Sequence, residues 1–221
     1  MNRFAIIVAG GKGNRMNSEL PKQFITIGGR PILMRTIEQF YKTDSAITLI
    51  LVLPKEQITY WQELQTEYGF EVPVLVTAGG ATRFHSVKNG LALITEPGLV
   101  AVHDGVRPFV NAETIQKGYE AAESYQAAVP VVSVVDSIRF VNESKNEALN
   151  RADYRLVQTP QVFQLELLHK AYEQEFSETF TDDASVVEVL GEPIFLFQGN
   201  RENIKLTTPF DLKVAEVLIK D

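Results

Sequence analysis

Short apolar runs alternate with longer amphipathic stretches along the chain as far as residue 132. The apolar runs have the length and β-branched content of buried strands, and they occupy 4–8, 47–53, 74–76, 99–102 and 127–132. Helical periodicity fits the intervening segments 32–41, 55–68, 84–94 and 112–124. Because strands that alternate with helices join a parallel sheet through right-handed crossovers, the pattern predicts an α/β fold. We expect a Rossmann-like, mostly parallel twisted sheet with helices on both faces, and ligands beyond the carboxyl ends of its strands.

The alternation breaks after residue 132, where 136–156 is largely polar. We interpret this segment as a projecting β-arm that serves in dimerisation, although a surface loop without regular structure is the alternative, since long loops in compact domains are usually either functional or disordered. Farther on, the pattern predicts helices at 165–176, 183–190 and 209–220 and a strand at 194–198. A chain of 221 residues suits one well-buried domain, so we predict a single domain over 1–221.

Composition limits the classes of function. The net charge is −7, so broad attraction to nucleic acid or to an anionic membrane is not expected, and phosphate binding must rely on local cations. The chain has no cysteine, which excludes thiolate chemistry and is compatible with a reducing cytoplasm. The early apolar run at 4–9 is too short to span a membrane and leads into glycines instead of a cleavage site. We therefore expect a cytoplasmic protein.

A glycine-rich loop follows the first predicted strand, with the sequence Ala-Gly-Gly-Lys-Gly-Asn-Arg-Met at 9–16. Glycines there let the backbone approach a phosphate and offer its N–H groups. The spacing excludes both the Walker A loop and the dinucleotide fingerprint, but an ordinary structural turn stays open. Two cations follow, Arg15 and Lys22, which could clamp a triphosphate and offset charge at phosphorus.

The order of the motifs resembles the nucleotidyltransferases, and in particular the 2-C-methyl-D-erythritol 4-phosphate cytidylyltransferase family. The resemblance rests on the glycine loop with Pro-Lys-Gln at 21–23 and on five later motifs. These are Gly-Gly at 79–80 with Arg83 and Ser86, His-Asp-Gly-Val-Arg-Pro at 103–108, Thr-Pro-Gln at 159–161, Thr-Asp-Asp-Ala-Ser at 181–185 and Asn-Ile-Lys at 203–205. In one place the chain departs from the family, because Ala81 stands where the family commonly has an acidic residue.

The resemblance implies two sets of nucleotide contacts. Arg15 and Lys22 would be catalytic and would stabilise the pentavalent transition state. The remaining nucleotide-binding positions would wrap the CTP phosphates, the cytosine and the ribose; they are Ala9, Gly10, Gly11, Gly13, Gly80, Ser86 and Gly105.

The acceptor would be a sugar-alcohol phosphate. The resemblance makes Arg151 and Lys205 the clamps on its phosphate and lines the same pocket with Ser137, Thr159 and Thr181, although hydroxyl caps of adjacent helices are the alternative for the two threonines. Asp104 and Arg107 are further substrate-binding candidates, because they follow the strand at 99–102, which puts them at the carboxyl edge of the sheet.

For Asp104 the sequence predicts a magnesium or substrate contact, with a local Asp104–Arg107 pair as the alternative. His103 is expected to pack this turn. His85 and His169 have no metal-ligand spacing, so zinc is not expected. Asp182 and Asp183 are adjacent at a predicted helix start, which favours a structural role over an acid–base pair.

The expected chemistry needs no general base, because a phosphate monoester with a second pKa of about 6 is largely dianionic at neutral pH. It does need Mg²⁺ and fixed cations to bring two polyanions together. The resemblance also implies a homodimer, non-mevalonate isoprenoid biosynthesis and CMP transfer from CTP. Ribitol 5-phosphate cytidylyltransferase is the near alternative, and a non-catalytic nucleotide-binding module is the alternative of another class.

Overall fold

A computed structural model describes residues 1–10 and 20–219. Its strands, numbered β1 to β12, are Asn2–Val8, Thr26–Ile27, Arg30–Pro31, Thr48–Leu53, Leu75–Ala78, Gly98–Asp104, Ala127–Ser133, Ile138–Val141, Asn146–Leu149, Arg155–Val157, Gln161–Gln164 and Phe195–Gln198. Its helices, α1 to α7, are Ile32–Thr43, Ile58–Glu67, Arg83–Leu91, Ala112–Tyr125, Leu165–Tyr172, Asp183–Glu188 and Pro209–Leu218.

In the described residues an eight-stranded sheet runs in the order β10-β7-β11-β6-β1-β4-β5, and β12 also pairs with β7. The pairs β6–β1, β1–β4, β4–β5 and β12–β7 are parallel, whereas β11 runs antiparallel between β6 and β7. The prediction of a mostly parallel α/β sheet is confirmed. The sequence pattern missed β10 and β11, because both strands are short and lack a long apolar run, and β11 begins and ends with glutamine.

Both faces of the sheet are covered by helices, as predicted. Strand β1 illustrates the alternation of a central strand: Ala5 and Ile7 pack into the cluster that contains α1, α2 and α4, whereas Phe4 and Ile6 pack into the cluster that contains α3, α5 and α6. A run that is buried on both faces explains why these residues form a central parallel strand.

Several helix bounds differ from the predictions. The segment 55–68 divides into a 3₁₀ turn at Lys55–Gln57 and α2, and α5 ends at Tyr172 instead of 176. Helix α7 begins at Pro209 as predicted, with Thr208 accepting a hydrogen bond from the N–H of Asp211 in a capping box. None of the helices in the described part of the chain is long and apolar enough to cross a membrane.

The predicted arm is a β-hairpin. Strands β8 and β9 pair antiparallel, with Ile138 opposite Leu149 and Val141 opposite Asn146. Apolar side chains on it face solvent in the single chain: Phe140 is 43% exposed and Val141 is 66% exposed. Such side chains on a projecting hairpin lack the burial that normally stabilises a two-stranded ribbon, and the dimerisation role stays a prediction.

Candidate active site

A cleft opens at the predicted edge of the sheet, at the carboxyl ends of β1, β4, β5 and β6. It has a volume of about 610 Å³. Its described walls comprise Val8, Ala9, Gly10, Lys22, Gln23, Pro54, Lys55, Glu56, Gln57, Gly79, Gly80, Ala81, Thr82, Arg83, Ser86, Asp104, Val106 and Lys205. The cleft therefore brings together seven of the predicted positions, namely Ala9, Gly10, Lys22, Gly80, Ser86, Asp104 and Lys205. Gly11, Gly13 and Arg15 lie outside the described residues.

The root of the glycine loop is held by the sheet and by one buried amide. The N–H of Ala9 donates to the carbonyl of Val52, 2.9 Å away, which continues the pairing of β1 with β4. The carbonyl of Ala9 accepts from Gln23 Nε2 at 2.8 Å. Lys22 lies beside Gln23 in the 3₁₀ turn Lys22–Phe24 and lines the cleft. Gln23 belongs to the Pro-Lys-Gln motif at 21–23, but the motif predicts no role for it.

A second glycine turn, at 79–80, packs tightly against the start of α3. Ser86 Oγ accepts from the N–H of Gly80 at 3.1 Å and donates to the carbonyl of Thr82 at 2.9 Å. A Cβ on Gly80 would lie 2.4 Å from His85 Cβ, so only glycine fits there. Ser86 thus shapes the turn that lines the cleft, and Ala81 lies exposed at the rim.

At the other end of the cleft, Asp104 is surrounded by cations. Its Oδ2 accepts from Arg107 Nε at 3.0 Å and lies 3.1 Å from Lys205 Nζ, while Oδ1 lies 4.0 Å from Arg83 Nε. Burial by itself would raise the pKa of Asp104, but Lys205, Arg83 and Arg107 outweigh it and hold that pKa well below its usual range. The local pair of Asp104 with Arg107 therefore forms, and Lys205 joins it.

His103 is fully buried behind Asp104, and a hydrogen-bond chain fixes its tautomer. Its Nε2 faces the carbonyl of Arg107 at 3.1 Å and must carry the proton. Thr159 Oγ1 accepts from the N–H of Asp104 at 3.1 Å and therefore donates to His103 Nδ1 at 3.0 Å. Burial lowers the pKa of His103 to about 4, despite its hydrogen bonds to Arg107 and Thr159.

The His103 chain bears on two expectations. His103 packs the turn as an uncharged ring, as expected from the sequence. The hydroxyl of Thr159 supports Asp104 from behind instead of capping a helix. The residue after Asp104, Gly105, is also buried: its N–H donates to the carbonyl of Val8 at 2.9 Å, and a Cβ would meet Ala9 Cβ at 2.9 Å.

Arg83 belongs to a motif at 79–86, but the motif predicts no role for it. Its Nη1 and Nη2 donate to the two carboxylate oxygens of Asp183 at 2.9 and 2.6 Å, and Tyr172 Oη donates to Asp183 Oδ1 at 2.6 Å. Burial alone would lower the pKa of Arg83, but the carboxylates of Asp183 and Asp104 raise it. Because 100 positions separate Arg83 from Asp183, no local pattern could have revealed the pair.

The two adjacent aspartates at the start of α6 point apart, as the sequence analysis expects. Asp182 Oδ1 accepts from the N–H of Ser185 at 2.9 Å in a capping box, whereas Asp183 is fully buried against Arg83. Thr181, just before this cap, is exposed, and its N–H donates to Ser185 Oγ at 3.0 Å. Both carboxylates thus have structural partners.

Two predicted acceptor contacts lie on the base of the arm. Ser137 is exposed, and Arg151 is exposed with its Nη1 donating to the carbonyl of Val135. Within the described part of one chain, neither residue lines the cleft. The structure thus brings Lys205 and Asp104 together at the cleft but leaves Arg151 apart from them.

The described residues do not form a complete Mg²⁺ site by themselves. Over 1–10 and 20–219, no group of three or more His, Cys, Asp or Glu side chains is arranged to hold a metal ion. Mg²⁺ commonly takes one or two carboxylates and completes its shell with substrate phosphates and water. Asp104 fits a shared arrangement of this kind through Oδ1, which lies beyond hydrogen-bond distance from Arg83 Nε, and it does not fit a cage made by protein alone.

Together the fold and the cleft define an α/β enzyme of the nucleotide-transferring class, in which a glycine-loop root and a cluster of fixed cations share one edge of a parallel sheet. The family model for IspD, 2-C-methyl-D-erythritol 4-phosphate cytidylyltransferase, matches residues 4–221. The chain belongs to this family, and the predicted family is confirmed.

Relatives and solved structures agree with the family model. The proteins named 2-C-methyl-D-erythritol 4-phosphate cytidylyltransferase from Bacteroides fragilis and Phocaeicola vulgatus are 58% and 59% identical over 219 residues, covering 99% of this chain and 100% of each relative. The crystal structure of the Thermus thermophilus enzyme with that name has a TM-score of 0.78 at 33% identity, with 100% of both chains covered. A 4-diphosphocytidyl-2C-methyl-D-erythritol synthase from Anaerococcus prevotii has a TM-score of 0.85 at 28% identity, covering 100% of this chain and 96% of that one.

Proposed function

We propose that the protein transfers CMP from CTP to 2-C-methyl-D-erythritol 4-phosphate and releases pyrophosphate. The observation that carries the proposal is the single cleft that joins the root of the glycine loop and Lys22 to the Asp104–Lys205 cluster. A transferase with two anionic substrates needs a close backbone approach for one and fixed cations for both. The names of the relatives supply the substrates, and they favour methylerythritol phosphate over ribitol 5-phosphate.

In this proposal the acceptor phosphate is itself the nucleophile. Being largely dianionic above about pH 6, it attacks the α-phosphorus of CTP without a general base. Lys22 and Arg15 stabilise the charge on the transferring phosphoryl group, while Lys205, together with Arg151, holds the acceptor phosphate. Arg107, Thr159 and Asp104 keep Lys205 in place, because Asp104 is the counter-ion nearest to its ammonium group.

The nucleotide end relies on close backbone approach. Ala9, Gly10, Gly11 and Gly13 wrap the phosphates, and the turn of Gly80 and Ser86 lies against the base. Gly105 acts on the ribose side through the backbone that it holds against Val8. Ser137 and Thr181 line the acceptor pocket in the assembled enzyme.

Mg²⁺ belongs to this proposal as an ion that arrives with CTP. When bound, it supplies Lewis-acid neutralisation of the phosphate charge. Asp104 is the carboxylate that we assign as a ligand of Mg²⁺. Because Lys205, Arg83 and Arg107 already surround Asp104, most ligands of the ion would come from phosphates and water. Removal of Mg²⁺ with a chelator should abolish transfer, and full activity in its absence would contradict this part.

We also propose a homodimer in which the arm reaches the partner. The exposed Phe140 and Val141 on the hairpin support it, as does the finding that Arg151 is not among the described residues that line the cleft of its own chain. Arg151 would then complete the partner's acceptor site. Light scattering should give twice the chain mass, and a fully active monomer would contradict the dimer. A cytoplasmic location accompanies the proposal, because CTP is an intracellular substrate.

The test of function is pyrophosphate release. Each of the four ribonucleoside triphosphates is offered with 2-C-methyl-D-erythritol 4-phosphate and, separately, with ribitol 5-phosphate. Turnover should be greatest for CTP with the methylerythritol acceptor. Preference for ribitol 5-phosphate would move the chain to the alternative cytidylyltransferase, and binding of CTP without pyrophosphate release for any acceptor would indicate a binding module.

A further inference from the structure

Gln23 occupies a buried position in the wall of the cleft, directly beside Lys22. Its side chain is 1% exposed, and its Nε2 donates to the carbonyl of Ala9 at 2.8 Å and to Gln57 Oε1 at 2.6 Å. Both hydrogens of the amide are therefore used. Rotating this amide would leave buried polar groups unpaired, which is costly. The orientation of Gln23 is thereby fixed.

The partners of Gln23 belong to two different strand ends. Ala9 follows β1 and precedes Gly10, the first glycine of the predicted phosphate loop, and the sheet already uses its N–H. Gln57 ends the 3₁₀ turn that follows β4. One side chain therefore ties the turn Lys22–Phe24 to the root of the glycine loop and to the opposite wall.

The direction in which the Lys22 side chain points depends on the two hydrogen bonds of Gln23. In a 3₁₀ turn, successive side chains point about 120° apart, since there are about three residues per turn. With Gln23 held in the wall, Lys22 is directed to the cleft that it lines. Phe24, 1% exposed and edge-on to Tyr60 at 5.1 Å between centroids, anchors the far end of the turn by packing. Loss of the amide should therefore rotate the turn without detaching it.

We infer that Gln23 is a positioning residue of the transfer step, acting through Lys22 by fixing its turn against the root of the glycine loop. The inference rests on the proposed function. Gln23 touches no reacting atom in this scheme; it sets where the ammonium group of Lys22 meets the transferring phosphoryl group. A displacement of about 1 Å can cost up to about 100-fold in rate, so a fixed turn matters.

A double-mutant cycle on kcat tests the inference. The variants are Gln23→Met, Lys22→Ala and the combination, each assayed by pyrophosphate release with CTP and 2-C-methyl-D-erythritol 4-phosphate. Gln23→Met should lower kcat by about fivefold or more with a smaller change in KM for CTP. The reason is that the contact between Lys22 and the transferring phosphoryl group, which Gln23 positions, acts in the transition state. In the Lys22→Ala background the same change should cost less than about twofold, because residues that act through one another are non-additive.

Further variants separate positioning from folding. Gln57→Leu removes the acceptor of one Gln23 hydrogen bond at a position that is only partly buried, so it should reproduce part of the loss if Gln23→Met folds poorly. Ile115→Val, a buried change on α4, should lower the melting temperature and leave kcat unchanged. A wild-type kcat in Gln23→Met, or a loss that adds fully to that of Lys22→Ala, would overturn the inference. Absence of turnover in the wild type would instead overturn the proposed function.

Discussion

The two ends of the cleft are held in place by different physical means. At the glycine end, the contacts in place are backbone groups and neutral side chains, such as the carbonyl of Ala9 with Gln23 and the N–H of Gly80 with Ser86. At the Asp104 end, a buried carboxylate organises Lys205 and Arg107 by charge. In our proposal the first end combines close backbone approach with the charge of Lys22, and the second depends on a charge cluster and on an arginine from a second chain.

The largest effect that distinguishes the two ends should come from Lys22. Lys22→Ala should lower kcat by at least about tenfold, because a preorganised charge that acts in the transition state is worth more than about 1.4 kcal/mol. Steady-state pyrophosphate release measures it. Lys55→Ala is the matched control, since Lys55 lines the same cleft but is exposed, and it should change kcat by less than about threefold. Equal losses in both variants would mean that only the total charge of the cleft matters.

Arg151→Ala should act on one substrate alone. We expect KM for the sugar phosphate to rise about tenfold, the loss of a charged hydrogen bond, while the affinity for CTP is nearly unchanged. The affinities are compared by isothermal titration with CTP and by KM for the acceptor. An equal loss for both substrates would contradict the division of the cleft.

The same variant also tests the second chain. Lys22→Ala and Arg151→Ala proteins are mixed, allowed to exchange subunits and assayed at an acceptor concentration well below KM. The mixture should be more active than the average of the two variants, because one hybrid site then receives Lys22 from one chain and Arg151 from the other. A mixture no more active than the average of the two variants would show that Arg151 acts in the site of its own chain.

His103 should make the Asp104 end sensitive to acid. The pKa of its buried ring is lowered to about 4, below an unfolded value of about 6.5, so its contribution to stability is complete above about pH 6.5 and is lost as the pH falls toward 4. The full loss should approach roughly 3 kcal/mol, of which about 2 kcal/mol falls between pH 7 and pH 5. Urea unfolding at pH 7 and pH 5 measures it, and His103→Asn should flatten the difference. An equally steep loss in that variant would assign the acid sensitivity to other groups.

The smallest effect concerns the rim of the glycine end. Ala81→Asp restores an acidic side chain where the family commonly has one, at an exposed position on the cleft. One added hydrogen bond of about 1 kcal/mol should lower KM for CTP by up to about fivefold and leave KM for UTP less affected. Ala81→Asn, which has the same size without the charge, is the control. A rise in KM for CTP with aspartate would indicate that repulsion of the triphosphate dominates.

Sequence patterns predicted the parts of the fold that follow local rules. The runs at 4–8 and 99–102 are buried on both faces in β1 and β6, and such runs are visible in sequence. Strand β11 was missed because its burial depends on distant partners: Gln161 donates to Asp182 at 2.8 Å and accepts from the N–H of Ala184 at 2.8 Å. A polar strand of this kind has no signature until α6 packs on it.

The site was predictable to a similar extent. Motifs at strand ends located Asp104 and Lys205, because the carboxyl edge of a parallel sheet collects them. Arg83 and Gln23 were not assigned roles, since what they do depends on Asp183 and Ala9, which lie elsewhere in the chain. The role of a charged or amide side chain in a site depends on the residue that it pairs with, and a local sequence motif does not identify that residue.

The cations around Asp104 also affect how substrates arrive. Arg83, Arg107 and Lys205 outnumber Asp104 and Asp183, so this end of the cleft is locally positive in a chain whose net charge is −7. A distant anion is repelled by the whole protein and attracted only within about one Debye length, about 8 Å at physiological salt. Moderate salt should therefore speed the capture of the acceptor phosphate by screening the distant repulsion, and only higher salt should slow it.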